Sequence, residues 1–230
     1  MDQSTCAPTP FALAQETLRA KLPKRDELAD EDAAKIYIPD RRYSQIKDSI
    51  LDLFQRVDVR YIPIEPIAIA QALGCGPVPY RSLGRIALPA LMEASQDALT
   101  CWTLGNDQPL ILFNDRKPPT RVAFSLMHEI GHVCLGHREH SKLAEKEANY
   151  FASNALCPLP SLEKSGLSEV AKVASCFAVS EECAKNRLAA LAKWRTVPES
   201  RRNLIFEREM IGRLVFKRPI QLPLVPLEAS

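Results

Sequence analysis

Residues 124–137 read FSLMHEIGHVCLGH, and within them His128, Glu129 and His132 form a glutamate bracketed by two histidines four positions apart. On a helix of 3.6 residues per turn, positions four apart lie nearly one above the other, so both imidazoles share a face and can clasp one ion. Glu129 falls on the flank of that pair, where it can hold a water without filling a ligand position. The surrounding Phe124, Leu126, Met127, Ile130 and Val133 mark the helix as largely buried. Burying two histidines and a glutamate together is costly unless they share a task. The chain has four histidines in all, so half of them lie in this motif.

Punctuation on either side frames the helix. Pro118-Pro119 resets the chain before it, and Gly136, tolerant of the left-handed conformation, ends it, leaving His137 beyond. A second helix is expected over Lys142–Leu156 (KLAEKEANYFASNAL), stopping before Pro158 and Pro160. Upstream, the spacing of Ile46, Ile50, Leu51, Leu53, Phe54 and Val57 predicts an amphipathic helix over Ser44–Val57. Glu65-Pro66 opens another, closed by Gly74, and a strand is expected at Val78–Arg81. Ala98–Leu104 and Pro109–Asn114 read as strands joined by a GND turn around Gly105, a hairpin. Downstream, helices are expected at Leu167–Phe177, at Ser180–Trp194 with Ser180 as cap, and within 199–216. Near the N-terminus a short helix is expected at Phe11–Leu22, and FKRPIQLPLVPLEAS should be an extended tail. The resulting division is an N-terminal extension (1–43), a catalytic region (44–160), a C-terminal helical segment (161–216) and a Pro-rich tail (217–230).

Composition narrows the function classes. With 230 residues, the chain is long enough for one sizeable core. Thirty basic against 28 acidic residues leave a formal charge of +2, which argues against a nucleic-acid partner as the default. No stretch reads as a signal peptide or a membrane span, so a cytoplasmic location is expected. The seven cysteines stand singly, without CxxC pairs, and read as reduced, mostly buried thiols.

The chemistry expected of HEIGH is metal-assisted hydrolysis. Zinc suits imidazole ligands, and in an open site it lowers the pKa of bound water to about 7. Glu129 would take that water's proton and pass it to the leaving amine. For the third ligand the candidates are His137, Glu139, His140, Glu145 and Glu147. A histidine at the metzincin spacing would fall on Arg138, which disfavours that arrangement. Glu147 is the strongest candidate, brought back toward the histidines by a short turn between antiparallel helices, whereas Glu145 is expected to face elsewhere and be solvated. His137 and His140 are expected in loop or supporting roles. Tyr150, one turn from Glu147, is a candidate transition-state stabiliser, with core packing as its alternative.

FSLMHEIGHVCLGH followed by EKEANYFASNALCP resembles the ImmA/IrrE family of zinc metallopeptidases, and the resemblance extends over Ile62–Leu191. It departs from the family pattern at Met127 and Cys157. It implies an α+β fold: a mostly helical, zincin-like catalytic domain with a small antiparallel or mixed sheet and a C-terminal helical segment. It implies Zn2+ held by His128, His132 and Glu147, with Glu129 catalytic, and a protein substrate of the helix-turn-helix repressor class. Zincin clefts take their peptide as an added strand on a sheet edge, for which Pro109–Asn114 is the candidate here. A competing reading comes from Leu167–Trp194, laid out as helix, short turn, helix, with basic Lys185, Arg187, Lys193 and Arg195. Glu181 and Glu182 at the start of its second helix argue against DNA binding, and a folded metal-binding regulator without proteolytic activity is the remaining alternative.

Overall fold

The computed structural model describes residues 37–103, 108–139 and 141–217. The expected Phe11–Leu22 helix, the turn around Gly105, His140 and nearly all of the Pro-rich tail lie outside the described residues.

Helix α1 (Asp40–Arg56) carries the amphipathic pattern and buries Ile46, Ile50, Leu51, Leu53 and Phe54. Strand β1 (Tyr61–Ile62) leads to α2 (Pro66–Ala72), which has proline in its first turn and is followed by Gly74 at φ 81°. Strand β2 (Gly76–Pro79) follows, then a short 3-10 turn and helix α3 (Leu88–Ala94). Strands β3 (Ala98–Trp102) and β4 (Pro109–Phe113) form the expected antiparallel hairpin. The three strands lie in the order β2-β4-β3, with β2 parallel to β4, making the sheet mixed. This order corrects the expected edge: β4 is central and paired on both sides, and the open edges belong to β2 and β3. The reason is non-local, since β2 joins β4 through a crossover containing α3 and β3.

Helix α4 (Pro119–Leu135) carries HEIGH, starts with Pro118 as cap and ends at Gly136 in the left-handed conformation (φ 71°). Ser141 caps α5 (Lys142–Leu156), its side chain accepting from the Ala144 amide. Past Pro158 the chain forms α6 (Leu159–Ser165), where the sequence led us to expect only a stop. Prolines in a first turn cost no helical hydrogen bond, so here they start a helix as well as ending one. Then come α7 (Val170–Phe177), α8 (Glu181–Arg195) with Ser180 accepting from the Cys183 amide, α9 (Leu204–Arg213) and β5 (Val215–Phe216). β5 lies parallel to β1, tying the far end of the described chain to its beginning.

The fold is therefore α+β, mostly helical with a small mixed sheet. One core gathers α1, α2 and α4–α9 around Phe54, Met127, Phe151, Phe177 and Phe206, and a smaller one lies between α3 and the sheet around Tyr80, Leu91 and Leu112. Among the described residues no helix is long and apolar enough to cross a membrane. Helices α4 and α5 pack face to face, and Gly131 permits it: a Cβ there would stand 3.1–3.2 Å from the ring and Cβ of Phe151, which is fully buried. Gly131→Ala gains about 1 kcal/mol of helix propensity, but overpacking against a ring that cannot retreat costs about 1–3 kcal/mol. The expected result is net destabilisation of up to about 2 kcal/mol, lowering Tm by up to ~8 °C. A thermal melt showing an equal or higher Tm would mean that Phe151 yields.

Candidate metal centre

Helix α4 presents His128 and His132 on one face, as their spacing requires, with both side chains nearly buried. Their Nε2 atoms face each other at 3.0 Å. Glu145 on α5 reaches both rings, Oε2 standing 3.3 Å from His128 Nε2 and Oε1 3.4 Å from His132 Nε2. Donors held on tetrahedral directions about 2.0–2.1 Å from one ion stand ~3.3 Å apart, so this set fits a tetrahedral metal ion. Among the described residues, His128, His132 and Glu145 are the group of potential ligands whose donor atoms converge in this way.

Glu147, expected beside the histidines, is placed elsewhere. Its Oε1 and Oε2 accept from Arg42 Nε and Nη2 on α1 at 2.8 and 2.6 Å, and Oε2 also accepts from His137 Nε2 at 3.0 Å. Helical geometry explains the exchange. Buried Ala148, Phe151, Ala152 and Ala155 define the stripe α5 sets against the core. Glu145 and Asn149, four apart, line one rim of that stripe and face the histidines, while Glu147 lies about 200° around from Glu145 and faces α1. The expectation that Glu145 is solvated is corrected on the same ground, since its side chain keeps only 24% exposure.

The rings are held from behind. His128 Nδ1 lies 2.9 Å from Asn149 Oδ1, a carbonyl oxygen that can only accept, so the proton sits on Nδ1 and Nε2 offers its lone pair. His132 Nδ1 lies 3.0 Å from His137 Nδ1. Burial pulls the His137 pKa below its usual value, opposed by its hydrogen bond to Glu147, which favours a neutral ring. Burial acts to raise the Glu147 pKa, but the hydrogen bonds from Arg42 and His137 outweigh it and leave it below the carboxylate range. Asn149 and Arg42 are contributors the sequence reading did not assign; the signal available was Asn149 four residues after Glu145, repeating the spacing of the histidine pair.

Glu129 is buried, and its Oε2 accepts from Thr100 Oγ1 on β3 at 2.8 Å. It lines a cavity of about 190 Å³ together with Asp97, Arg121, Phe124, His128, Glu145 and Asn149. Arg121 is fastened to Asp97 by two hydrogen bonds of 3.0 and 2.6 Å at this rim. The adjoining Cys101 thiol is pushed up to about 12, by burial and then by the charge of Glu129, so it stays protonated and does not compete as a nucleophile. Tyr150 sets its ring against Tyr43 of α1, centroids 4.6 Å apart, and burial pushes its hydroxyl up to about 12. Glu139 is exposed.

Two buried imidazoles and a carboxylate converge on one point and could hold a metal ion, with a second carboxylate in the adjoining cavity. Comparison with curated proteins gives no match. Comparison with family models does: residues 87–189, which contain α3, the β3–β4 hairpin, the HEIGH helix, α5, α6, α7 and the first part of α8, match the IrrE N-terminal-like domain, Peptidase_M78. Over that span, which is somewhat less than half of the chain, the sequence is similar to the IrrE N-terminal-like peptidase domains.

Proposed function

We propose that the chain is a zinc-dependent endopeptidase of regulatory type, with His128, His132 and Glu145 as ligands and Glu129 as the proton-transfer group. The observation carrying this is the convergence of the three donors beside Glu129 in one cavity. His128, His132 and Glu145 would hold the zinc, and its chemistry when bound would be to acidify a water and polarise the scissile carbonyl. Glu129 accepts the water's proton on its carboxylate and delivers it to the leaving amine nitrogen. Thr100 orients it by donating to Oε2. The peptide runs along β3, whose outer edge carries Thr100 beside Glu129 and whose first residue, Ala98, lines the cavity.

The substrate we propose is a helix-turn-helix repressor, on the resemblance to the ImmA/IrrE family. α7 and α8 serve packing or substrate docking. Supporting this over DNA binding, Arg187 is buried and donates to the Cys157 carbonyl and Asn154 Oδ1, Arg195 is held by Glu163, and Glu181 and Glu182 are exposed in the first turn of α8. The test is incubation of the purified protein with the helix-turn-helix repressor encoded beside its gene, with and without chelator, read by gel and mass spectrometry. Cleavage at a defined bond, lost with chelator and restored by zinc, is expected. A repressor left intact under all conditions rejects this substrate, and a metal-free protein rejects the enzyme.

A further inference from the structure

Behind His132, away from Glu145, a continuous line of polar contacts runs to a different helix. His132 Nδ1 meets His137 Nδ1 at 3.0 Å, His137 Nε2 meets Glu147 Oε2 at 3.0 Å, and both Glu147 oxygens are held by the forked Arg42 guanidinium. Glu147 is 4% exposed, and its side chain receives these groups in full. Arg42 lies on α1, 45 residues before the matched span begins at residue 87.

The protons along this line can be assigned from its far end. An ionised carboxylate only accepts, and the guanidinium only donates. Glu147 therefore receives a hydrogen from His137 Nε2, which leaves the neutral His137 ring with its lone pair on Nδ1. That lone pair can be satisfied at 3.0 Å only by a hydrogen on His132 Nδ1. His132 is then left with its lone pair on Nε2, the atom facing His128 and Glu145. Without a fixed charge at the end, both rings are free to exchange tautomers and the donor atom of His132 is blocked by its own hydrogen in part of the population.

We propose that Arg42 and Glu147, acting through His137, are positioning residues that hold His132 in its metal-binding tautomer and orientation, making α1 a working part of the centre. This rests on His132 being a ligand, as proposed above. The arrangement explains why a carboxylate two residues from Glu145 is buried against an arginine instead of facing solvent, and why His137 turns back under the helix past Gly136. Groups that support metal-binding histidines in this way are worth about 10–100-fold in metal affinity.

The test measures zinc affinity by competition with a chromophoric chelator, zinc stoichiometry at saturation, and the melting temperature of the zinc-free protein. It compares the full chain with Arg42→Ala, Arg42→Lys and Glu147→Gln. Glu147→Gln keeps the size but offers one acceptor oxygen where Arg42 and His137 need two. Expected are a single zinc per chain in all four, and affinity about 10–100-fold weaker in Arg42→Ala and Glu147→Gln. Arg42→Lys should recover part of the loss, since an ammonium supplies charge without the fork. Affinity within twofold of the parent in both Arg42→Ala and Glu147→Gln overturns the proposal, whether or not the zinc-free melt falls, because a purely structural contact moves the melt alone. If Arg42→Ala does not fold, Arg42→Lys and Glu147→Gln decide by the same criterion. A parent chain that holds no zinc instead overturns the assignment of the centre, a result distinct from parent binding with unaffected variants.

Discussion

Glu129→Gln should purify with the metal content and melting temperature of the parent and cleave its substrate about 10²–10⁴-fold more slowly, the range typical for removal of a general base. The amide has nearly the carboxylate's shape, and its oxygen can still accept from Thr100 Oγ1, the contact that orients Oε2 at 2.8 Å. What it lacks is a basic oxygen to take the proton of the attacking water. Because Glu129 is outside the converging His128, His132 and Glu145 donors, metal retention and loss of turnover should separate cleanly. The measurement is single-turnover cleavage at equal zinc occupancy. A Glu129→Gln protein cutting at the parent rate would remove Glu129 from the mechanism, and one that lost its zinc would make Glu129 part of the ligand set.

The two helices that build the centre were legible in the sequence because their signals are local. The Pro118-Pro119 pair, Gly136 and the run from Lys142 to Leu156 set bounds that match α4 and α5 within a residue. The hairpin was legible for the same reason, as two apolar runs with a turn between them. What the sequence concealed depends on contacts between distant segments. β4 read as an edge because its partner β2 comes some thirty residues earlier and pairs in parallel, which leaves no local trace. The two-residue strands β1 and β5 are too short to show a pattern. Helix α6 was hidden by reading Pro158 and Pro160 only as terminators.

The carboxylate at the centre was the most instructive difference. Either Glu145 or Glu147 lies on the right helix, and the choice depends on which way α5 is rolled against α4. That roll is set by where Ala148, Phe151, Ala152 and Ala155 bury, and by the close approach of Phe151 to Gly131. With this stripe facing the core, Glu145 falls on the rim beside the histidines and Glu147 on the rim beside α1. The buried positions were all apolar and readable in the sequence, but the direction of the centre relative to them was not.

Glu145→Ala should therefore lose its co-purified metal, whereas Glu147→Ala should keep one site of weaker affinity. Structural zinc sites bind with about 10–16 kcal/mol from four ligands, or ~2.5–4 kcal/mol each, so deleting one ligand weakens binding by about 10²–10³-fold. Deleting a supporting group costs about 10–100-fold, and because these ranges meet, affinity alone is a poor judge. A double-mutant cycle with His137→Ala separates the two roles. Glu147 reaches His132 only through His137, at 3.0 Å on each side, so removing it in the His137→Ala background should cost little further affinity. Glu145 approaches His128 and His132 directly at 3.3 and 3.4 Å, so its removal should cost the same with or without His137. The reverse pattern, with Glu147→Ala costing its full amount in the absence of His137 and Glu145→Ala retaining metal, would place Glu147 on the ion. That would require α5 to roll about 160° about its axis, pulling Ala148 and Ala152 out of the core.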